Sequence, residues 1–158
     1  MTPSDLDGVV QVASEAFPNH PEGRDCFADR LRLYPAGCRV LADESGAVSG
    51  YLVAYPWRLD DAPALNARLA ALPETPDVLY LHDLALAAYA RGGGRAAEAV
   101  ALAVDTARSG GLSTIALIAV NDAEAFWTRQ GFRRRQSPVM STKLTSYGET
   151  AVYMIRPV

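Results

Sequence analysis

Apolar and polar residues alternate along this chain with two periods, and the changes of period predict the order of its elements. Apolar residues recur at helical spacing from Leu6 to Phe17, which predicts a first helix that packs on one face. An almost continuous apolar run at 112–120 is typical of a strand covered on both faces. The predicted helices are 4–17, 22–33, 94–109 and 122–130. The predicted strands are 38–42, 48–57, 78–86, 112–120, 132–136 and 150–155.

Two segments of the chain lack a clear period. The 59–77 insertion holds three prolines around a predicted short helix at 64–72, and we assign it to the substrate side because loops of this length are often functional. A loop through Pro138 and Tyr147 is predicted to join the last two strands. The length of 158 residues suits a single α/β domain over 1–158.

Three consecutive glycines, Gly92 to Gly94, follow the 78–86 strand and open a helix, a pattern typical of a phosphate cradle. A Walker A loop is excluded because Arg95-Ala96 replaces the required Lys-Ser/Thr pair. Gly92, Gly94 and Ala97 satisfy the Rossmann pattern formally. However, the loop after the strand is too long for that fold, and the next strand, 112–120, carries no acidic residue.

A third kind of phosphate-binding loop matches the sequence better than these two. Arg91-Gly-Gly-Gly94-Arg-Ala96 fits the pattern Gln/Arg-x-x-Gly-x-Gly/Ala, the acetyl-CoA loop of the GCN5-related N-acetyltransferases (GNAT). Downstream, Asn121 follows a strand, a short helix carries the aromatic pair Phe126-Trp127, and Gly131-Phe132 opens the next strand, as in that family. The chain therefore resembles a GNAT protein over most of its length, from about Ser4 to about Arg156.

The resemblance implies a mixed, mostly antiparallel central sheet flanked by helices, with acetyl-CoA as acyl donor. The family usually begins with a strand, whereas this chain starts almost directly at its first helix. That strand is either missing or lies in a longer native start, and an exposed edge would allow a homodimer. The residues implied to bind the cofactor are Leu84, Ala85, Leu86, Arg91, Gly92, Gly93, Gly94, Arg95, Ala96, Ala97, Asn121 and Trp127.

The resemblance also implies direct transfer of the acetyl group to a primary amine. Period two places Tyr80, His82 and Leu84 on one face of their strand and Asp83 on the other. In some relatives, histidines on this strand relay the amine proton, and His82 and Tyr80 fall at those positions. Glu15 is a further candidate for holding a cationic amine.

The usual tyrosine acid of the family is replaced by Trp127, whose indole N–H only donates. The thiolate proton then comes from Tyr147, our first alternative, from Tyr153 or another tyrosine, or from water. Asn121 either binds the cofactor arm or caps the short helix. The departure at Trp127 supports a second hypothesis, a non-catalytic acyl-CoA-binding sensor. A protein N-terminus or lysine also stays open as acceptor beside a small amine.

Composition limits the remaining functions. The formal net charge of −3 argues against nucleic acid as the main partner, and no segment is predicted to span a membrane. Cys26 and Cys38 form no metal motif, so we expect reduced thiols, a cytoplasmic protein and no bound metal. The basic run Arg133 to Arg135 is interpreted as a solvated strand end, with CoA phosphate or an acidic partner as the other possibility.

Overall fold

The computed structural model describes residues 1–158 and contains one six-stranded sheet with helices on both faces. The helices are α1 (Leu6–Ala16), α2 (Arg24–Leu33), α3 (Arg95–Ser109), α4 (Glu124–Arg129) and α5 (Pro138–Thr145). The strands are β1 (Cys38–Ala42), β2 (Val48–Trp57), β3 (Val78–Leu86), β4 (Thr114–Ala119), β5 (Arg133–Arg134) and β6 (Val152–Pro157). No helix is both long enough and apolar enough to cross a membrane.

The strand order is β1-β2-β3-β4-β6-β5, and only the β3–β4 pair is parallel. The expected mixed, mostly antiparallel sheet is therefore confirmed. One apolar core lies between the sheet and helices α1 and α2, and includes Val9, Phe27 and Tyr55. The other lies between the sheet and helices α3 and α4, and it includes Leu79 together with small side chains such as Ala103. The alanine-rich face of α3 allows that helix to pack closely on the sheet.

The chain enters the fold through a 3-10 turn, and no strand precedes α1. The turn is closed by a capping box in which the Thr2 amide donates to the Asp5 carboxylate at 2.6 Å. Strand β1 consequently lies at one edge of the sheet, where the Met1 ammonium donates to the Cys38 carbonyl at 3.3 Å. Dimerisation through this edge stays a prediction.

The helix predicted at 64–72 is wrong, because this segment is an irregular loop. Asn66 and Ala70 have positive φ values of 54° and 60°. Backbone groups of the loop pair with α2: Asp29 accepts from the Leu69 amide at 2.6 Å, and the buried Arg30 side chain donates to the Ala67 carbonyl. Long-range hydrogen bonds to α2 therefore replace the local hydrogen bonds of a helix.

Helix α5 was not predicted, because the segment was assigned to a loop. Ser137 caps it by accepting from the Met140 amide at 3.4 Å, and Pro138 occupies its first turn. Met140 is the one buried residue of the helix, so the apolar period that normally identifies a helix is missing. In the neighbouring basic run, Arg134 pairs with Glu124 and Arg135 pairs with Asp60, which accounts for two of its three charges.

Candidate active site

A cleft of about 730 Å³ opens where β3 and β4 separate. The two parallel strands pair only at Leu79–Ile115 and Tyr80–Ala116, and β3 then continues to Leu86 without a β4 partner. Backbone groups of β3 on that side are therefore left without a sheet neighbour. Side chains and backbone of both strands line the cleft.

One end of the cleft, which we call the glycine end, is the 92–97 turn at the start of α3. Gly92, Gly93 and Gly94 have positive φ values of 91°, 61° and 81°. A Cβ on Gly92 or Gly94 would meet nothing within 4 Å, so their backbone conformation rather than crowding favours glycine.

The free backbone amides of this turn indicate a binding site for an anion. Those of Gly92, Gly93, Gly94, Ala96 and Ala97 donate no hydrogen bond within the protein. They lie at the positive end of the α3 dipole, which favours a negatively charged group. The glycine end is therefore a ready anion site, as its sequence predicts.

The other end of the cleft, which we call the histidine end, contains His20, Glu22, Tyr80, His82, Asp83 and Tyr147. A β-bulge shapes it. The β2–β3 register pairs Val53 with Asp83 but Ala54 with Leu81, so His82 is the extra residue. The predicted alternation holds for Tyr80 and His82 but is wrong after His82: Asp83 shares the α1–α2 face with His82, and Leu84 packs toward the α3 side.

His82 is paired with an acid that the sequence interpretation missed. Its Nε2 lies 2.6 Å from Oε2 of Glu22, and both side chains are only 4% exposed. Glu22 also accepts from the Asn66 amide at 2.7 Å and from the Cys26 thiol at 3.3 Å. Glu15, the predicted acid, is exposed on α1 and does not line the cleft.

The three ionisable groups beside the bulge influence one another. Burial alone would raise the pKa of Glu22, but the charge and hydrogen bond of His82 lower it to about 2. Burial alone would lower the pKa of His82, yet the charges of Asp83 and Glu22 raise it above 6.5. Burial raises the pKa of Asp83 to about 6. The pairing therefore favours the charged form of both groups, a Glu22 carboxylate against a His82 imidazolium.

Asp83 presents one free oxygen to the cleft. Its Oδ2 accepts from the Tyr51 hydroxyl at 2.9 Å, whereas Oδ1 accepts no hydrogen bond from the protein. An unpaired carboxylate oxygen in a largely buried site requires a donor, since leaving it unpaired is costly. A bound cation or water is the natural partner.

Glu22, Cys26 and His82 also satisfy the distance criterion for a metal site, because their donor atoms lie within 4.8 Å of one another. Burial and the Glu22 charge raise the pKa of the Cys26 thiol, so it stays protonated and donates to Glu22. Since Glu22 already accepts three internal hydrogen bonds, we interpret the group as a hydrogen-bond network.

Tyr147 connects the loops that line the histidine end. Its hydroxyl donates to the Pro63 carbonyl at 2.9 Å, and its own carbonyl lies 2.8 Å from His20 Nε2. Burial raises its pKa to about 12. The buried Tyr80 lines the cleft beside Tyr147, and its side chain interacts with the Tyr147 hydroxyl. Tyr153 lies outside the cleft, where its hydroxyl accepts from the Asp60 amide at 3.0 Å.

Asn121 and Trp127 line the wall that β4 and α4 contribute. Asn121 does not cap α4: Ala123 holds the cap position, and the side-chain Nδ2 of Asn121 donates to the Ala16 carbonyl at 3.3 Å. Trp127 is 7% exposed and packs edge-on against Phe126 and Phe132.

Most of the predicted site residues meet at this one cleft. The exceptions are Gly93, which lies in the turn without lining the cavity, and the further candidates Glu15 and Tyr153, which lie outside the cleft. Those that line it are Tyr80, His82, Leu84, Ala85, Leu86, Arg91, Gly92, Gly94, Arg95, Ala96, Ala97, Asn121, Trp127 and Tyr147. Two of the arginines are also bound internally: Arg91 donates to the Leu86 carbonyl and Arg95 to the Ala90 carbonyl, each at 3.2 Å.

Comparison with known proteins identifies the class. Residues 6–132 match the Acetyltransferase (GNAT) family, and the chain belongs to this family of acyl-CoA N-acetyltransferases. No curated protein sequence matches the chain. The structural resemblance to solved proteins extends over the whole chain.

Three solved structures illustrate the shared fold. Ard1 from Thermoplasma volcanium is 17% identical, with a TM-score of 0.73 over 100% of this chain and 94% of that protein. The GNAT-like decarboxylase GphF, solved with isobutyryl-CoA, is 18% identical, with a TM-score of 0.75 over 99% and 96% of the two chains. Naa20 from Chaetomium thermophilum, solved with a bisubstrate analogue, is 16% identical, with a TM-score of 0.74 over 100% and 84%.

Proposed function

We propose that the chain, folded as one domain over 1–158, transfers an acetyl group from acetyl-CoA to the primary amine of a small molecule. The observation that carries this proposal is the set of free amides at the glycine end, which opens into the same cleft as a buried acid–histidine pair. An anion site and a proton-accepting site in one cleft are what transfer from a phosphate-bearing thioester to an amine requires.

The glycine end would hold the pyrophosphate of acetyl-CoA. The free backbone amides of this turn would donate to the phosphate oxygens, and the cationic side chains of Arg91 and Arg95 lie beside them. The unpaired side of 84–86 would accept the pantetheine arm as an added strand. An amide of that stretch would polarise the thioester carbonyl, as in an oxyanion hole.

The histidine end would hold the amine. An ammonium group fits the free Oδ1 of Asp83, and neutral His82 next to it accepts the proton that the amine must lose. The freed amine nitrogen then attacks the carbonyl carbon, and the carbon–sulfur bond breaks. Since reaction requires neutral imidazole, the rate should rise with pH through the raised pKa of His82.

The departing thiolate needs a proton. Trp127 cannot supply it, and the proton of the Tyr147 hydroxyl is engaged by the Pro63 carbonyl. Tyr80 and Tyr147 both line the cleft, and either hydroxyl would have to leave its present partner to act as the donor. Tyr147 as the acid stays a prediction.

A thiol-release assay with acetyl-CoA and separate pools of amines, combined with calorimetric titration of acetyl-CoA, tests the proposal. Release above the hydrolysis background together with acetyl-CoA binding would support it. Binding without release for every pool would instead favour a non-catalytic acyl-CoA sensor, the function that Trp127 at the usual acid position also supports. Absence of binding would overturn both functions.

A further inference from the structure

A buried cation lies behind the histidine end without reaching its cavity. Arg30 of α2 is 0% exposed and does not line the cleft. Its Nη1 donates to the Cys26 carbonyl at 3.1 Å and to the Ala67 carbonyl at 2.5 Å, and its Cζ lies 5.9 Å from the centre of the Tyr55 ring. The guanidinium group is therefore held in place by α2, the insertion and β2.

This cation has no acid paired directly with it. No aspartate or glutamate forms an ion pair with the guanidinium group, and the adjacent buried acid, Asp29, pairs with Arg32 instead. The hydroxyl of Tyr55 interacts with Arg30 but is neutral. Since a buried charge is costly unless an opposite charge compensates it, the compensating acids must lie beyond direct contact.

Two chains of contacts lead from Arg30 to the histidine end. Cys26 accepts from Arg30 through its carbonyl, and its thiol donates to Glu22 at 3.3 Å. The Tyr55 ring, which contacts the guanidinium group on one side, has its centre 5.8 Å from that of the His82 ring. The cation and the acid–histidine pair are therefore separated by one layer of side chains.

The charges of the histidine end account for this cation. Glu22 and Asp83 supply two carboxylates, whereas His82 supplies at most one positive charge. Arg30 is the second buried cation of the group, and with it the charges balance when His82 is protonated. When His82 gives up its proton, Arg30 still compensates one of the two acids.

The other titratable side chains that face these groups are neutral, paired elsewhere or exposed. His20 binds the Tyr147 carbonyl, and Arg91, Arg95 and Arg129 line the cleft but are exposed. Because Arg30 is buried, water and salt screen its charge less than theirs. Burial raises the pKa of every thiol and phenol around the group, which are Cys26 from α2, Tyr51 and Tyr55 from β2, Tyr80 from β3 and Tyr147 from the α5–β6 turn.

The direction of each interaction agrees with this arrangement. Burial lowers the pKa of His82, Asp83 and Glu22 raise it, and Arg30 lowers it again. Burial raises the pKa of Asp83, whereas His82 and Arg30 lower it. The guanidinium group thus favours a neutral His82 beside an ionised Asp83, which are the two states that the proposed acetyl transfer uses.

We propose that Arg30 is a positioning residue for this reaction, which acts through its charge on the three ionisable groups of the histidine end without contacting either substrate. The proposal rests on the proposed function, because that reaction gives His82 and Asp83 their roles. An arginine suits this buried position, since its guanidinium group stays protonated at any pH at which the protein works.

Variants of Arg30 test the proposal. Arg30→Met and Arg30→Gln both remove the charge, and the glutamine keeps a donor for the Ala67 carbonyl. Without the cation its neighbours hold protons more tightly, so the acid limb of the pH–rate profile should move up by about one pH unit, with rates on that limb about tenfold lower. Arg30→Lys restores a cation and should return the limb most of the way.

Asp29→Asn is the matched control for loss of structure. Asp29 binds the same insertion by accepting from the Leu69 and Ala70 amides, but it does not line the cleft. If Arg30 acted only by holding the insertion, its variants would lower the rate and leave the limb in place. That result would overturn the proposal, and so would an equal shift of the limb in Asp29→Asn or in Arg30→Lys.

A titration that needs no turnover separates this proposal from the proposed function. The chain contains two histidines, and NMR can follow both rings, with His82→Gln to assign their signals. In Arg30→Met and Arg30→Gln, we expect the His82 ring to keep its proton to a pH about one unit higher than in the wild type. An unchanged titration would overturn the role of Arg30 even in an active enzyme. A shifted titration without acetylation of any amine would support the effect of Arg30 on His82 and overturn only the proposed function.

Discussion

The glycine end and the histidine end of the cleft are built in different ways. The glycine end comes from one continuous stretch, in which β3, three glycines and α3 follow one another. The histidine end is assembled from four segments, with contacts across 60 residues for Glu22–His82, 84 for Tyr147–Pro63 and 127 for His20–Tyr147. A site made by local backbone conformation keeps its chemistry in a short motif, whereas a site made by tertiary contacts is free to change with its loops.

The largest effect on the glycine end is expected from Gly94→Val. Gly94 has φ +81° with open space around its Cβ position, so a β-branched residue would distort the turn that aims the free amides. We expect affinity for acetyl-CoA to fall at least about 100-fold, the loss of two or more charge-assisted hydrogen bonds. Calorimetric titration measures it.

Gly111→Val is the matched control for that variant. Gly111 also has positive φ, +70°, and open space, but it lies beyond the other end of α3. Both substitutions should destabilise the fold by about 1–2 kcal/mol, and only Gly94→Val should lose the cofactor. Normal acetyl-CoA affinity in Gly94→Val would contradict the phosphate assignment.

Replacing His82 probes the opposite end. His82→Gln keeps a donor for Glu22 but removes the titratable ring, and His82→Ala removes both. We expect kcat to fall by about 100-fold or more and the acid limb of the pH–rate profile to change, since a positioned base typically contributes that much. Affinity for acetyl-CoA should stay within about twofold. Loss of affinity, or an unaltered pH profile in both variants, would show that His82 is not the proton acceptor.

The two ends of the cleft also differ in how far the sequence predicts them. The periods of hydrophobicity predict every strand and four of the five helices, and the glycine run predicts the anion turn. The bulge at His82 is invisible to a period-two pattern, which assigns Asp83 to the wrong face. Glu22 is predicted to begin the second helix but lies in the loop just before α2, and only the tertiary fold brings it against His82. The unpredicted α5 buries too little apolar surface to show a period.

Glu22→Gln tests the histidine end by removing one charge from it. Glu22 raises the pKa of His82, so we expect the acid limb of the pH–rate profile to move to lower pH in the variant. A purely structural role for Glu22 would leave that limb in place. Glu15→Gln, on an exposed acid outside the cleft, is the control.

Glu22→Gln is also expected to change how the free energy of unfolding depends on pH. The pKa of Glu22 is about 2 in the folded protein against 4.5 as a free side chain. Its pairing therefore contributes on the order of 3 kcal/mol above pH 4.5, and the contribution is lost as the pH falls toward 2. Urea unfolding should show wild type and Glu22→Gln differing most near neutral pH and converging in acid. A constant difference across this range would contradict the ion pair.

The smallest expected effect is that of Ser137→Ala, which removes the cap of α5. The helix runs to Thr145 and ends just before Tyr147, so a frayed start should loosen the contacts of Tyr147 with Pro63 and His20 without touching the cofactor turn. We expect about 1 kcal/mol of destabilisation, a Tm lower by about 2–4 °C, and a slightly raised KM for the amine with unchanged acetyl-CoA affinity. Ser141→Ala, on the same helix but without a capping role, should do less. If Ser137→Ala weakened acetyl-CoA binding as much as amine binding, the two ends would be coupled, and the separation between a locally built cofactor site and an assembled acceptor site would fail.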